Sequence, residues 1–250
     1  MVDRIPRISF WRAMTDNDMG AGYPARMGVW YAAGHFAAKD YASFGIEPVE
    51  GGLKMHTAFL GGPEGAVRTE VNYTLYPDGR ILVEADFPGI SGYPALPVFA
   101  MDFATKPDVN RVTYLGMGPE ENYIDRAEGA RLGRFGYTAE ENLSRYLRPQ
   151  ECGNRTGVRE FTVTDADGVG LRFTAAGDPF EMSVLPHSAY ELEEANRIFE
   201  LPPVRHIWIR VASAEMGVGG DDSWGAPVHE EYLIDSGKPQ HLAFWITAVG

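Results

Sequence analysis

Apolar residues recur at every second position on both sides of a short turn in the first half of the chain. Residues 69–76 and residues 80–87 carry the alternation, and Pro77-Asp78-Gly79 lies between them. A period of two is typical of half-buried strands. Proline supplies a fixed φ, aspartate a side-chain acceptor and glycine a positive φ, which together favour a chain reversal. The pattern therefore predicts a β-hairpin.

Other short apolar runs, each bounded by Gly, Pro, Asp or Asn, predict further strands. A second hairpin is expected from residues 158–163 and 169–174 around a turn at 164–168. The remaining predicted strands are Val98–Phe103, Arg111–Leu115, Phe180–Leu185, Arg205–Ala212, Glu230–Ile234 and His241–Thr247. Helical spacing occurs at Ser188–Leu201, with a further short turn at Val29–Phe36. Runs of strands without alternating helices favour an all-β fold, a large antiparallel β-sandwich with one or two short helices.

The acidic balance of the chain argues against several functions. The 250 residues include 22 Lys and Arg against 35 Asp and Glu, a net charge of −13, and they contain no basic stripe that would bind nucleic acid. No run of 18 apolar residues predicts a transmembrane helix, and no signal peptide is visible at residues 1–6. The single cysteine, Cys152, is expected to be an inert small residue and fits a reducing compartment. We therefore expect a cytoplasmic protein that binds neither nucleic acid nor membrane.

Three acidic clusters are candidates for chemistry, at residues 15–18, 120–126 and 219–224. A glycosidase needs two carboxylates across a sugar bond. With 35 acidic residues, however, adjacent pairs also arise by chance, and Asp beside Gly more often forms a turn or pairs with Arg. The buried ion pairs expected on this second interpretation are Arg12 with Asp16 or Asp18, and Arg126 with Glu120 or Asp125.

Metal binding has little support in the sequence. The six histidines show none of the spacings typical of metal sites, and Asp16-Asn17-Asp18 lacks the rest of a calcium loop. The glycine-rich segments at 116–118 and 217–220 do not form a complete nucleotide-binding fingerprint, and we interpret them as turns. We therefore expect no metal ligand and no cofactor on this chain.

The tryptophans occur in two kinds of sequence context. Trp208 and Trp245 lie in apolar runs and are expected in the core. Trp224 follows Gly-Gly-Asp-Asp-Ser and precedes Gly-Ala-Pro, which is loop composition. A large ring on a loop is either pinned to the edge of the core or offered to a flat apolar ligand face, such as the C–H groups of galactose. The residues alone leave both interpretations open.

Four motifs stand in order along the chain and carry a family resemblance. They are Phe10-Trp-Arg-Ala-Met-Thr-Asp-Asn-Asp-Met-Gly20, Tyr114-Leu-Gly-Met-Gly-Pro-Glu-Glu-Asn-Tyr-Ile-Asp-Arg126, Pro149-Gln-Glu-Cys-Gly-Asn-Arg155 and Met216-Gly-Val-Gly-Gly-Asp-Asp-Ser-Trp224. This set resembles the C-terminal domain, or separate small chain, of glycoside hydrolase family 2 β-galactosidases. The resemblance covers the chain from about Phe10 to Thr247.

The resemblance implies a fold, and it implies that catalysis occurs on other domains. It implies a galactose-mutarotase-like β supersandwich, with a single domain at residues 10–250 that lacks the first strands of the family domain and a short lead at residues 1–9. It also implies that the catalytic glutamates, magnesium and sodium belong to other domains, so that no catalytic residue lies here and the chain is inactive alone. The implied partner is a β-galactosidase large chain or the remainder of the same polypeptide. An exposed sheet edge would in addition favour self-association.

The same resemblance assigns residues to the site. Trp224 is the residue implied to stack on a galactoside such as lactose. The candidates for organising loops or lining the pocket are Arg12, Asp16, Asp18, Glu121, Asn122, Asp125, Arg126, Asp221 and Asp222.

Departures from the family pattern leave two other functions open. Met14, Val98, Cys152 and Arg197 replace residues usual in the family, which weakens any sugar contact at these positions. An aldose 1-epimerase is one alternative, although it needs a general acid and a general base, usually His and Glu. A stand-alone carbohydrate-binding or structural module is the other.

Overall fold

Two antiparallel β-sheets and three helices make up the computed structural model, which describes residues 2–222 and 224–250. The helices are α1 (Asp16–Gly20), α2 (Tyr23–His35) and α3 (Ala189–Glu194), and single 3-10 turns lie at Pro63–Gly65, Ile198–Glu200 and Glu230–Tyr232. The strands are β1 (Val2–Ser9), β2 (Ala38–Val49), β3 (Gly52–Gly61), β4 (Val67–Leu75), β5 (Ile81–Phe87), β6 (Val98–Thr105), β7 (Arg111–Gly118), β8 (Arg131–Thr138), β9 (Arg155–Val158), β10 (Glu160–Thr164), β11 (Gly170–Ala175), β12 (Phe180–Leu185), β13 (Ile207–Glu215) and β14 (Gln240–Val249).

The strands divide into a five-stranded and a nine-stranded sheet. The smaller sheet has the order β1-β6-β13-β12-β9, and the larger has the order β2-β3-β4-β5-β14-β11-β10-β7-β8. Phe103 of the smaller sheet packs against Phe173 and Phe244 of the larger, with ring centroids 5.4 and 6.0 Å apart. The two sheets therefore face each other across one apolar core. The prediction of an all-β antiparallel sandwich is confirmed.

Helix α2 covers one margin of this core. Trp30 is fully buried and lies 5.7 Å from Phe10 and 5.5 Å from Tyr93, and its indole N–H donates to the carbonyl of Pro94 at 3.1 Å. This hydrogen bond satisfies the one polar group of the ring and so removes the cost of burying it. No helix within the described ranges is long and apolar enough to cross a membrane.

The predicted hairpins form as the alternation indicates. In the first, Gly79 adopts a φ of +84° and the Asp78 carboxylate accepts the amide of Arg80 at 3.1 Å. Val71, Val83 and Ala85, which share one face, are fully buried. The second hairpin pairs β10 with β11. Four of the six further predicted strands correspond to β6, β7, β12 and β14, and Arg205–Ala212 corresponds to β13, which is shifted by two residues at its start.

Several expectations about elements were wrong. Residues 2–9, which the sequence presented as a lead, form β1 at the edge of the smaller sheet. Residues 230–234 form a 3-10 turn with a single bridge from Ile234 to Leu96, because the chain turns back at His229 to Leu233. The helix at 188–201 stops at Glu194, since Ala195 is already extended, and the helix at 29–36 begins earlier, at Tyr23.

The placement of two tryptophans also differs from expectation. Trp208 and Trp245 are only partly buried. Each alternates with buried neighbours, Ile207 and Ile209 or Phe244, and therefore lies on the outer face of its sheet. The indoles of the core are Trp11 and Trp30. Both faces of a strand can be apolar in a sandwich, so an apolar run alone does not identify the inward face.

Candidate functional site

The four sequence motifs meet at one pocket, although they lie far apart along the chain. The cavity has a volume of about 120 Å³. Its lining, which we call the motif pocket, consists of Thr15, Asn17, Tyr123, Arg126, Tyr146, Gln150, Glu151 and Val218. The first, second, third and fourth motifs each contribute at least one of these residues. The fold therefore brings together the segments that carry the family resemblance.

Arg12 ties the beginning of the chain to the end of β13 beneath this pocket. Its guanidinium donates to the Asp18 carboxylate at 2.9 and 3.1 Å and to the carbonyl oxygens of Met216 and Gly217, both at 2.9 Å. Glu215 lies 3.5 Å away. Burial opposes the charge on Arg12, but the attraction of Asp18 and Glu215 outweighs it and raises the pKa of the guanidinium. The expected pair between Arg12 and Asp18 is confirmed, and it fixes α1 against the fourth motif.

The second motif folds around Glu121. This carboxylate pairs with Arg126 and also accepts from the amide of Gly153 at 2.6 Å and the hydroxyl of Tyr146 at 3.2 Å. The Arg126 guanidinium lies 5.2 Å over the Tyr123 ring. The expected partners of Arg126, at positions 120 and 125, were therefore wrong. The loop formed by the second motif turns Glu121 inward. Arg126 pairs with it and also lines the motif pocket.

Asn122 and Asp125 act as internal supports of the loops. Asn122 is buried and uses its side-chain oxygen to accept from the amide and hydroxyl of Thr156 at 2.9 and 2.6 Å. Its amide nitrogen donates to two backbone carbonyls at 3.0 Å. Asp125 accepts the amide of Gly219 at 2.7 Å, so it holds the glycine-rich fourth motif. With these bonds made, Asn122 has no hydrogen-bonding capacity left for a ligand.

The Trp224 loop is anchored on both sides, yet its indole is exposed. Asn17 donates to the carbonyl oxygens of Gly219 and Ala226 at 2.7 and 3.1 Å. Gly225 has a φ of +104° and passes so close to Gly20 that a Cβ atom there would lie 2.3 Å from the Gly20 carbonyl carbon. The Trp224 side chain is 90% exposed. The ring is therefore not pinned to the edge of the core.

Asp221 and Asp222 shape the same loop from within. The Asp222 carboxylate accepts the amides of Trp224 and Ala226 at 2.8 and 3.1 Å, and these bonds hold its pKa below the usual value. Asp221 accepts from the His229 ring at 2.8 Å, and this bond raises the pKa of His229. Both carboxylates are exposed. Asp222 therefore turns the backbone that presents Trp224, and Asp221 ties the loop to His229.

A group of buried carboxyls lies under the motif pocket, and the sequence did not single it out. Glu151 lies 3.8 Å from Arg210, and Tyr123 donates to it at 3.4 Å. Burial, and next the negative charge of Glu215, raise the pKa of Glu151 well above its usual range. Burial likewise raises the pKa of Glu215, against the opposing attraction of Arg12. Burial raises the pKa of Glu181 to about 8. Of these three carboxyls, Glu151 is the one that lines the motif pocket, where Tyr123 and Arg210 already contact it.

Residues 2–222 and 224–250 contain no suitable set of metal ligands. No group of three or more His, Cys, Asp or Glu side chains stands close enough to hold an ion. Within the 15–18 cluster, Asp18 is taken by Arg12, and Asp16 accepts from the Gln150 amide at 3.2 Å. The oxygen atoms of this cluster therefore serve the protein itself.

Comparisons with known proteins agree with the four motifs. A family described as beta galactosidase small chain matches residues 1–246. The chain is similar to a β-galactosidase of Halalkalibacterium halodurans, with 40% identity over all of this chain and 25% of that protein. It is also similar to a β-galactosidase small subunit of Latilactobacillus sakei, with 32% identity over 98% of this chain and 85% of that protein. The chain thus spans about a quarter of the length of the first curated relatives it matches.

Among solved structures, the chain is similar to a galactose mutarotase related enzyme of Lactobacillus acidophilus. The TM-score is 0.40 at 12% identity, over 82% of this chain and 70% of that chain.

Proposed function

Because this chain belongs to the β-galactosidase small-chain family, we propose that it is the non-catalytic part of a β-galactosidase and completes the mouth of the active site. The substrates would be terminal β-D-galactosides such as lactose. The partner would be a large chain, or the remainder of a longer polypeptide, that carries the catalytic carboxylates.

The observation that carries this proposal is the exposed indole on a fixed loop. Trp224 is 90% exposed, so the face of its indole is open to a ligand. Asn17, Asp125 and Asp222 hold the backbone on either side of it. A loop fixed in this way loses little further backbone entropy when a sugar stacks on the ring, which favours binding. Stacking on a sugar face contributes on the order of 1 kcal/mol, a several-fold change in affinity.

The motif pocket supports the same role through its polar groups. Arg126 lines it, and a guanidinium donates hydrogen bonds to hydroxyl oxygens, whereas the side-chain amides of Asn17 and Gln150, which also line it, already use both of their N–H groups within the protein. We propose that these groups either contact sugar hydroxyls or fix the surface on which the large chain closes. Glu151 reaches the pocket, but burial raises the pKa of its carboxyl and so disfavours the charged form that a nucleophile needs.

Hydrolysis of nitrophenyl β-galactoside tests whether this chain is non-catalytic alone and completes the active site of a partner. We expect the purified 250-residue chain to show no hydrolysis above the buffer rate. Added to a β-galactosidase that lacks its matching quarter, such as a truncated Halalkalibacterium halodurans protein, it should restore turnover. Cleavage by the isolated chain, or no gain on mixing at saturating concentration, would contradict the proposal.

An epimerase has less support. Mutarotation needs an acid and a base that converge on one sugar ring. Among the described residues, no histidine lines the motif pocket, and His229 beside the Trp224 loop is held by Asp221. Polarimetry of α-galactose with the isolated chain distinguishes the two functions, and we expect only the spontaneous rate.

A further inference from the structure

The nine-stranded sheet extends beyond the smaller sheet, and its inward face stays apolar as far as the edge. One row of paired positions runs through Phe244, Val83, Tyr73, Met55 and Ile46. Phe244 and Val83 are fully buried, whereas Ile46 on the edge strand is 62% exposed. The inward-facing side chains of the nine-stranded sheet thus remain apolar beyond the region that the five-stranded sheet covers.

A second row repeats the pattern nearer the end of the strands. It runs through Ile246, Ile81, Leu75 and Leu53. Ile246 and Ile81 pack against the core, but Leu75 is 45% and Leu53 52% exposed. Phe44, two residues before Ile46 on the same edge strand, is 51% exposed. We call Phe44, Ile46, Leu53 and Leu75 the uncovered face.

Helix α2 covers the other end of the same strands. Ala33 lies so close to Gly61 of β3 that a Cβ atom on the glycine would be 2.3 Å from the Ala33 oxygen. Phe59, near that end of β3, is buried. The uncovered face is thus the part of the overhanging sheet that α2 does not reach. Neighbouring exposed apolar side chains can form a patch, and large apolar patches on a protein surface often mark an interface.

The free edge of β1 lies at the end of the sandwich where the uncovered face is. Val2 pairs with Thr105 at the end of β6, and only residues 106–110 separate β6 from β7. Arg111, which opens β7, lines up through β10 and β11 with Val249 of β14. Val249 is three residues beyond Ile246 of the second row. A strand added to the first residues of β1 would therefore extend the smaller sheet over the uncovered face.

We propose that an extended, apolar segment of the β-galactosidase large chain pairs with β1 at residues 2–5 and buries the uncovered face. Pairing stops there because Pro6 has no amide hydrogen to donate. Addition of a strand to an open edge forms backbone hydrogen bonds, and burial of the uncovered face adds to the affinity. This inference rests on the proposed function, since it takes the large chain as the partner.

Two observations favour the large chain over a second copy as the occupant. In the Halalkalibacterium halodurans relative the matched segment is 25% of one polypeptide, so the rest of that chain is available beside it. Each copy of this chain carries a net charge of −13, so two copies repel one another. The uncovered face itself contains no charged residue.

The test measures binding of the full chain to the truncated Halalkalibacterium halodurans protein. Phe44→Asp, Ile46→Asp and Leu53→Asp should each weaken the Kd at least tenfold, which corresponds to about 1.4 kcal/mol. Phe199→Asp is the matched control, because Phe199 is 82% exposed and lies outside the face, and it should leave the Kd within twofold. Hydrogen exchange should show new protection of the amides of residues 2–5 in the complex.

The outcomes separate this inference from the proposed function. If the unmodified chain restores activity but the three face variants bind like Phe199→Asp, the large chain docks elsewhere and the inference is wrong. If the unmodified chain neither binds nor restores activity, the proposed function itself fails. If sedimentation shows a dimer of the isolated chain that Ile46→Asp dissociates, the occupant is a second copy and the inference is overturned. Thermal unfolding confirms that each variant is folded.

Discussion

Replacement of Arg12 by methionine should be among the most damaging single changes in the chain. The guanidinium is fully buried and contacts the Asp18 carboxylate, two carbonyl oxygens and Glu215. Methionine fills much of the volume but leaves the negative charge of Asp18 in the interior. Only the capping contacts from Thr15 and the amides of its own turn would then offset that charge.

The expected loss follows from this geometry. Removal of one partner of a buried pair costs about 3–5 kcal/mol, mainly because the other charge is stranded. For a chain of this size that loss lowers the melting temperature by roughly 10 °C. Arg134→Met is the matched control, since Arg134 pairs with Glu160 at 2.8 Å on the surface. An exposed pair contributes about 0–1 kcal/mol.

Urea unfolding, followed by the fluorescence of the buried indoles, measures both variants. Addition of Asp18→Asn to Arg12→Met should recover part of the loss, because the stranded charge is gone. Equal stability of Arg12→Met and Arg134→Met would refute this account, as would a double variant that is less stable than Arg12→Met.

Two further predictions concern buried titratable groups. The pKa of Glu181 is raised to about 8, first by burial and then by Glu215, so the free energy of unfolding should fall as pH rises from about 4.5 to about 8. Glu181→Gln should reduce this fall in the free energy of unfolding by on the order of 1–3 kcal/mol. At pH 4 the variant and the unmodified chain should have the same free energy of unfolding. If urea unfolding shows the same pH dependence for both proteins, the prediction is contradicted. Burial raises the pKa of the Cys152 thiol, so a thiol reagent at pH 8 should label it only after unfolding. Labelling of the native chain within minutes would contradict its placement.

The sequence predicted those elements in which local pattern and tertiary packing agree. The hairpin at residues 69–87 is one, because its alternation matches a single buried face and its turn has the required glycine. Strand β1 was missed because Asp3, Arg4 and Pro6 interrupt its alternation, and it forms only by pairing with β6, about 95 residues later. Its pairing includes two register shifts, which also remove any regular period.

The site was predictable as a set of segments but only partly as a set of contacts. The first motif limited the expected partner of Arg12 to Asp16 or Asp18, and the fold selects Asp18. The choice of Glu121 rather than its neighbours by Arg126 depends on where the loop meets Gly153 and Tyr146. Glu151, Glu181 and Glu215 look like ordinary surface acids in the sequence, and only the packing of β12, β13 and the loop that carries Glu151 brings them together.

The central claim is that Trp224 contributes to sugar binding while chemistry occurs on another chain or domain. Its most direct test is the Trp224→Ala variant in the reconstituted enzyme, with Trp245→Ala as a control on the outer face of the sheet. We predict that Trp224→Ala raises KM several-fold while kcat stays within twofold, and that Trp245→Ala changes neither. A loss of kcat with unchanged KM, or no change at all, would contradict the claim.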